Sequence, residues 1–145
     1  MDSGEKKKMS VHYFRKAYEA QTHGDLGEAI ELYQKSIDTF PTPEALTFLG
    51  WALSFLGKYD EAISFCKKAI EIDPGFVQAY WALGLAHGGL GNDAEYRAAA
   101  HEALKRSSAQ PEQVRRLTEI LVSDADFEFE RELELLHAYT RVHPY

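Results

Sequence analysis

The residue types that could carry catalysis or hold a metal are thinly spread in this sequence. The six histidines are His12, His23, His87, His101, His137 and His143. No two of them fall three or four apart, as two ligands on one helix face would. Cys66 is the single cysteine, so it can neither complete a zinc set with those histidines nor pair within the chain. It lies on an apolar helical stripe and reads as a small core residue of a protein in a reducing compartment. Asp124, Asp126 and Glu128 alternate as in a calcium loop, but the turn glycine and the bidentate glutamate spacing are missing. The run is better read as the capped acidic start of a helix. Gly88-Gly89-Leu90-Gly91-Asn92 follows a helical pattern instead of a strand, so it is no phosphate loop. Neither an enzyme nor a cofactor is expected.

What the sequence does supply in quantity is aromatic surface. Phe14, Tyr18, Trp51, Phe55 and Trp81 sit at helical spacing but off the main apolar stripes, and large aromatics are the usual anchors of a recognition surface. At 145 residues, 45% apolar and 27% charged, the chain is one domain's worth with a continuous core. A net charge of −7 disfavours a nucleic-acid backbone as partner. No apolar run is long enough to span a membrane, and the lysine-bearing N-terminus lacks the apolar segment of a secretory signal, so a cytoplasmic protein is expected.

The elements that would position these aromatics are clearest from Leu46 to Pro74. Leu46, Leu49, Gly50 and Leu53 mark one face of a helix. Gly57 stops it, and Tyr59, Ala62, Ile63, Cys66, Ala69 and Ile70 mark a second helix that ends at Asp73-Pro74. Gly50 and Ala62 are small where the two backbones must approach. Gly24, Ala29, Tyr33, Ser36 and Pro41 lie 33 residues before Gly57, Ala62, Cys66, Ala69 and Pro74, while Tyr80, Leu83, Gly84 and Gly91 lie 34 after their counterparts. Thr42-Pro43-Glu44 reads as N-cap, N1 proline and first-turn acid. The third repeat departs from the pattern. Tyr96 stands where the earlier repeats carry Ala29 and Ala62, an overpacking worth roughly 1–3 kcal/mol unless the helix tilts over Ala98-Ala99-Ala100.

This pattern of large apolar residue, Leu-Gly, Gly-x-Tyr, two alanines and proline resembles the tetratricopeptide repeat. The resemblance implies an all-α fold, a right-handed superhelix of antiparallel helix hairpins. It divides the chain into a flexible N-terminal tail (1–9), three repeats (10–42, 43–76 and 77–108) and a C-terminal region (109–145). Val114, Leu117 and Leu121 would form a capping helix. Phe129, Leu133, Leu136 and Thr140 would form the stripe of an acidic final helix, giving about eight helices in all.

In that family the first helix of each hairpin lines a concave groove, which implies a peptide-binding set of Phe14, Tyr18, Thr47, Trp51, Phe55, Gln78, Trp81 and Leu85. Gly88 and Gly89 would leave room for a ligand's close approach. The expected function is an adaptor or co-chaperone that holds an apolar peptide or helix of another protein. The alternative is a self-associating scaffold, a homo-oligomer formed through residues 124–145 filling their own or a neighbour's groove. The family's carboxylate clamp of Lys, Asn, Asn, Lys and Arg falls here on Phe14, Tyr18, Phe48, Gln78 and Ala82, so a C-terminal carboxylate is not expected as ligand.

Overall fold

The computed structural model describes residues 1–107 together with Glu112, Arg115, Arg116, Thr118, Glu119 and Val122, which are helical. Six complete helices are defined: α1 (Ser3–Thr22), α2 (Leu26–Thr39), α3 (Pro43–Phe55), α4 (Tyr59–Ile72), α5 (Val77–Gly89) and α6 (Asp93–Arg106). Among the described residues there are thus six complete helices, where about eight were expected of the chain. The capping-helix stripe of Val114, Leu117 and Leu121 and the acidic final helix lie outside the described residues. Among the described residues there is no strand.

The same turn closes all three hairpins. Gly24, Gly57 and Gly91 have φ of 86°, 75° and 78°, a left-handed conformation that a β-carbon makes costly. The residue after each donates its backbone N–H five residues back, Asp25 to Ala20, Lys58 to Leu53 and Asn92 to His87, at 2.9, 3.0 and 2.9 Å. These bonds satisfy carbonyls that the helix end would otherwise leave open. After Gly24 the next helix starts on a side-chain cap, Asp25 accepting the Glu28 N–H at 3.0 Å, whereas α4 and α6 start without one; α3 starts on Thr42, which accepts the Ala45 N–H at 3.2 Å with Pro43 in the first turn.

Helices pair as α1/α2, α3/α4 and α5/α6, and the hairpins stack through α2/α3, α4/α5 and α3/α5. α3 is the central element, with Ala45, Leu46, Thr47, Leu49, Gly50, Ala52 and Leu53 all buried. Together with Ala17, Ala29, Tyr33, Ala62 and Ala86, Leu49, Ala52 and Leu53 form the largest core cluster. A β-carbon on Gly50 would stand 2.8 Å from Cys66 Sγ and 3.0 Å from the Ala62 carbonyl oxygen, so glycine is what lets α3 and α4 close.

One expectation is corrected here. Residues 3–9 are not a flexible tail but the first two turns of α1, begun by Asp2, whose side chain accepts the Glu5 N–H at 2.8 Å. That helix is tied to α2 by a buried serine pair. Ser10 Oγ donates toward Ser36 and the Phe40 carbonyl (2.7 Å), while Ser36 Oγ donates to the Ser10 carbonyl at 2.7 Å. In the third hairpin, the space for Tyr96 comes from glycine. Its ring edge lies 3.3 Å from where a Gly84 β-carbon would be and 3.0 Å from where a Gly88 β-carbon would be. The ring occupies the space that two missing side chains leave.

Candidate recognition groove

The first helices of the first two hairpins, α1 and α3, bring four of the eight expected site residues together: Phe14, Tyr18, Trp51 and Phe55. Phe14 and Phe48 join α1 to α3, with ring centroids 5.3 Å apart at 60°. Tyr18 meets the edge of Phe48 at 6.0 Å, Phe48 meets Trp51 at 5.9 Å, and Trp51 meets Phe55 at 5.8 Å. Such tilted and edge-on pairs are the preferred geometries of aromatic rings. The inner end of this ladder is closed by Tyr33 of α2, which stacks on Phe48 at 6.2 Å and donates its hydroxyl to Gln21 Oε1 at 2.6 Å. Burial, and then the neighbouring Tyr18, hold the Tyr33 hydroxyl well above its ordinary pKa, so it acts as a donor and not as an anion.

Exposure sorts the site. Tyr18 is 49% exposed, Trp51 40%, Phe55 61% and Leu85 44%, whereas Phe14 and Phe48 are half-buried beneath them. Gln78 is half-buried on the first turn of α5. Two expected residues are withdrawn from the open surface. Thr47 is 3% exposed, and its Oγ1 is the one buried side-chain oxygen or nitrogen without a hydrogen-bond partner among the described residues. Trp81 is half-buried; its indole N–H donates to Thr118 Oγ1 at 2.8 Å, and it packs on Ala100 of α6, as do Tyr96 and Val122. Thr118, beyond α6, is thus bonded to α5.

Gly88 and Gly89, expected to admit a ligand, serve internal packing instead. Gly88 backs the Tyr96 ring, and a β-carbon on Gly89 would collide with the Tyr59 ring from α4. The residue missed as a groove component is Phe48, which touches Phe14, Tyr18, Tyr33 and Trp51. Its signal was present: Phe48, Trp51 and Phe55 fall three and then four apart, which is one face of α3.

The titratable groups near this surface offer little reactivity. Burial pushes the Cys66 thiol up to about 12, so it is inert as a nucleophile. His87 is held below its usual range chiefly by burial; Glu95 opposes that shift and Lys67 adds to it. Its Nδ1 faces the Asn92 amide nitrogen at 3.3 Å. Among the described residues, no three His, Cys, Asp or Glu side chains come together as a metal site, and no helix is long and apolar enough to cross a membrane.

Residues 43–76, the second hairpin, match the sequence pattern of the tetratricopeptide repeat family. The chain is similar to small glutamine-rich tetratricopeptide repeat-containing protein 2 of Mycosarcoma maydis, 41% identical over 68 residues, 46% of this chain and 19% of that protein. It thus spans about a fifth of that relative's length. Among solved structures, the TPR2B domain of yeast Sti1 in its pHsp70 complex superposes with a TM-score of 0.75 at 25% identity, over 86% of this chain and 98% of that one. The first TPR of Spaghetti (RPAP3) bound to the HSP90 peptide SRMEEVD superposes at 0.71 and 21% identity, over 83% of this chain and 98% of that one. The repeating hairpins, the shared glycine turn and the matched second repeat agree: the chain carries a tetratricopeptide repeat at residues 43–76 within a fold shared with tetratricopeptide repeat domains.

Proposed function

We propose that the chain is a protein-interaction module, not an enzyme, and that it acts as an adaptor or co-chaperone holding an apolar peptide or helix of a partner protein against α1 and α3. The observation that carries this reading is the ladder of Tyr18, Phe48, Trp51 and Phe55, whose rings pack on one another while three of them remain 40–61% exposed. Aromatic rings already held by their neighbours lose little freedom on binding, which favours their use as anchors. Phe14 supports the ladder from beneath, and Leu85 and Gln78 extend the surface along α5. Thr47 and Trp81 contribute as packing rather than as contact.

The adaptor reading is supported by relatives and structural neighbours that include a heat shock protein, STI1, and TPR domains with bound HSP90 and HSP70 peptides. In this chain the positions matching the carboxylate clamp hold Phe14, Tyr18, Phe48, Gln78 and Ala82, and Ala82 is buried. The proposed ligand is therefore recognised by apolar side chains and not by a terminal carboxylate. The repeats are assigned to 10–42, 43–76 and 77–108, and 109–145 to the C-terminal region. A reducing, cytoplasmic setting suits the single buried thiol.

The test is affinity capture from native lysate with the wild-type chain and a Tyr18→Ser, Trp51→Ser, Phe55→Ser variant, its helix content checked by circular dichroism. Partners lost with the folded variant support the groove; partners all retained refute it. A peptide ending in EEVD should bind no better than its C-terminal amide, whereas a marked preference for the free carboxylate would refute apolar recognition.

A further inference from the structure

We infer that the groove's ligand is an acidic amphipathic helix with a Phe/Leu stripe, and that residues 124–142 of this same chain are one such ligand, occupying the Tyr18–Phe55 ladder in the absence of a partner. This rests on the groove reading above and adds to it the chemistry of the ligand and a regulation.

Three observations support it. The first is where the chain goes after α6. Thr118 accepts a hydrogen bond from Trp81 of α5, the helix that stacks directly on α3, while Val122 packs on Ala100 of α6, and α3 meets α1 through Phe48 and Phe14. From Thr118 to the ladder is thus two helix-to-helix steps, about 20 Å at ordinary packing distances of 8–10 Å. Twenty-three residues follow Val122 in the sequence. As a helix they would extend about 35 Å, so the segment reaches.

The second is charge. α1, the first wall of the groove, carries Lys6, Lys7, Lys8, Arg15 and Lys16 against Glu5 and Glu19. It is the one described helix with a clear excess of basic side chains, in a chain whose net charge is −7. Residues 124–142 carry six acidic side chains, Asp124 to Glu134, against Arg131 and Arg141. Opposite fields of this kind orient an encounter and set its register more than its affinity.

The third is the match of apolar surfaces. Phe129, Leu133 and Leu136 fall four and then three apart, which is one helix face. The ladder likewise offers three exposed rings, Tyr18, Trp51 and Phe55, from two neighbouring helices. A helix laid in a groove by such a stripe is a recurrent recognition mode.

Tethering gives the segment an effective concentration of about 1 mM. If its free form binds at about 10 μM, any competing ligand is weakened about 100-fold. The experiment uses a fluorescent peptide of residues 124–142, read by anisotropy, against two full-length proteins: the natural chain, and a Phe129→Ser, Leu133→Ser, Leu136→Ser variant whose own segment lacks the stripe. The expected result is binding to the variant that is lost when Tyr18→Ser and Trp51→Ser are added, with binding to the natural chain about 100-fold weaker. Equal affinity for both proteins would overturn the inference while leaving the groove reading intact. Absence of binding to either would also overturn it, and the groove reading would then stand or fall on the capture experiment alone. Light scattering across a concentration series separates the tethered segment from exchange between copies. A natural chain that dimerises while the variant stays monomeric would assign the segment to a neighbour's groove and overturn the regulation proposed.

Discussion

Replacing Gly50 by alanine tests the packing that positions the ladder, because α3 carries Phe48, Trp51 and Phe55 and is held against α4 at this glycine. In an unobstructed helix interior, Gly→Ala stabilises by about 1 kcal/mol through backbone entropy. At Gly50 the added carbon would lie 2.8 Å from Cys66 Sγ and 3.0 Å from the Ala62 carbonyl oxygen. The first neighbour is fully buried and the second is backbone, so neither can swing away. Forced overpacking in such a place costs about 3 kcal/mol at the upper end of its usual range. The balance is a net destabilisation of about 2 kcal/mol. With a urea slope near 2 kcal/mol/M, the unfolding midpoint followed by circular dichroism should fall by about 1 M. Gly27→Ala is the control, since a carbon there meets nothing closer than an Asp25 carboxylate oxygen at 3.9 Å. It should leave the midpoint unchanged or raise it. In a Cys66→Ala background part of the Gly50→Ala penalty should disappear, a coupling of about 1 kcal/mol. If Gly50→Ala instead behaves like Gly27→Ala, the close approach of α3 and α4 is refuted, and with it the placement of the ladder.

Thr47→Val should stabilise the protein by about 1 kcal/mol in the same assay, because it removes a buried hydroxyl that has no partner and keeps the shape. Ser10→Ala should destabilise by about 1–3 kcal/mol, because the Phe40 carbonyl loses its donor while the Ser36 hydroxyl keeps the Ser10 backbone carbonyl, with hydrogen exchange accelerating first in α1. His87 binds its proton less readily folded than unfolded, so the stability it contributes is present above the unfolded value of about 6.5 and is lost as pH falls through it. The unfolding midpoint should therefore drop on acidification, and His87→Gln should flatten the part of that drop between about pH 7 and pH 5; an unaltered profile would refute the assignment.

Much of the fold could be read from the sequence because its rules are local. A left-handed glycine, an N-cap and a 3.6-residue stripe each depend on a few neighbours in the chain, and the glycine turn repeats almost unaltered at Gly24, Gly57 and Gly91. The aromatic row was legible for the same reason, as residues off the core stripe of helices already identified. Which of those aromatics remain open was decided only by the tertiary structure. Trp51 and Trp81 look alike in sequence, yet Trp51 is 40% exposed whereas Trp81 is bonded to Thr118, 37 residues away. Phe48 entered the ladder because α1 brought Phe14 and Tyr18 to it across thirty or more residues of chain. Tyr96 illustrates the same division. Its bulk at a small position is plain in the sequence, but the space that admits it belongs to Gly84 and Gly88 on another helix. Local periodicity specified the helices and their turns; contacts between distant residues, which no local pattern encodes, decided which side chains were left to meet a partner.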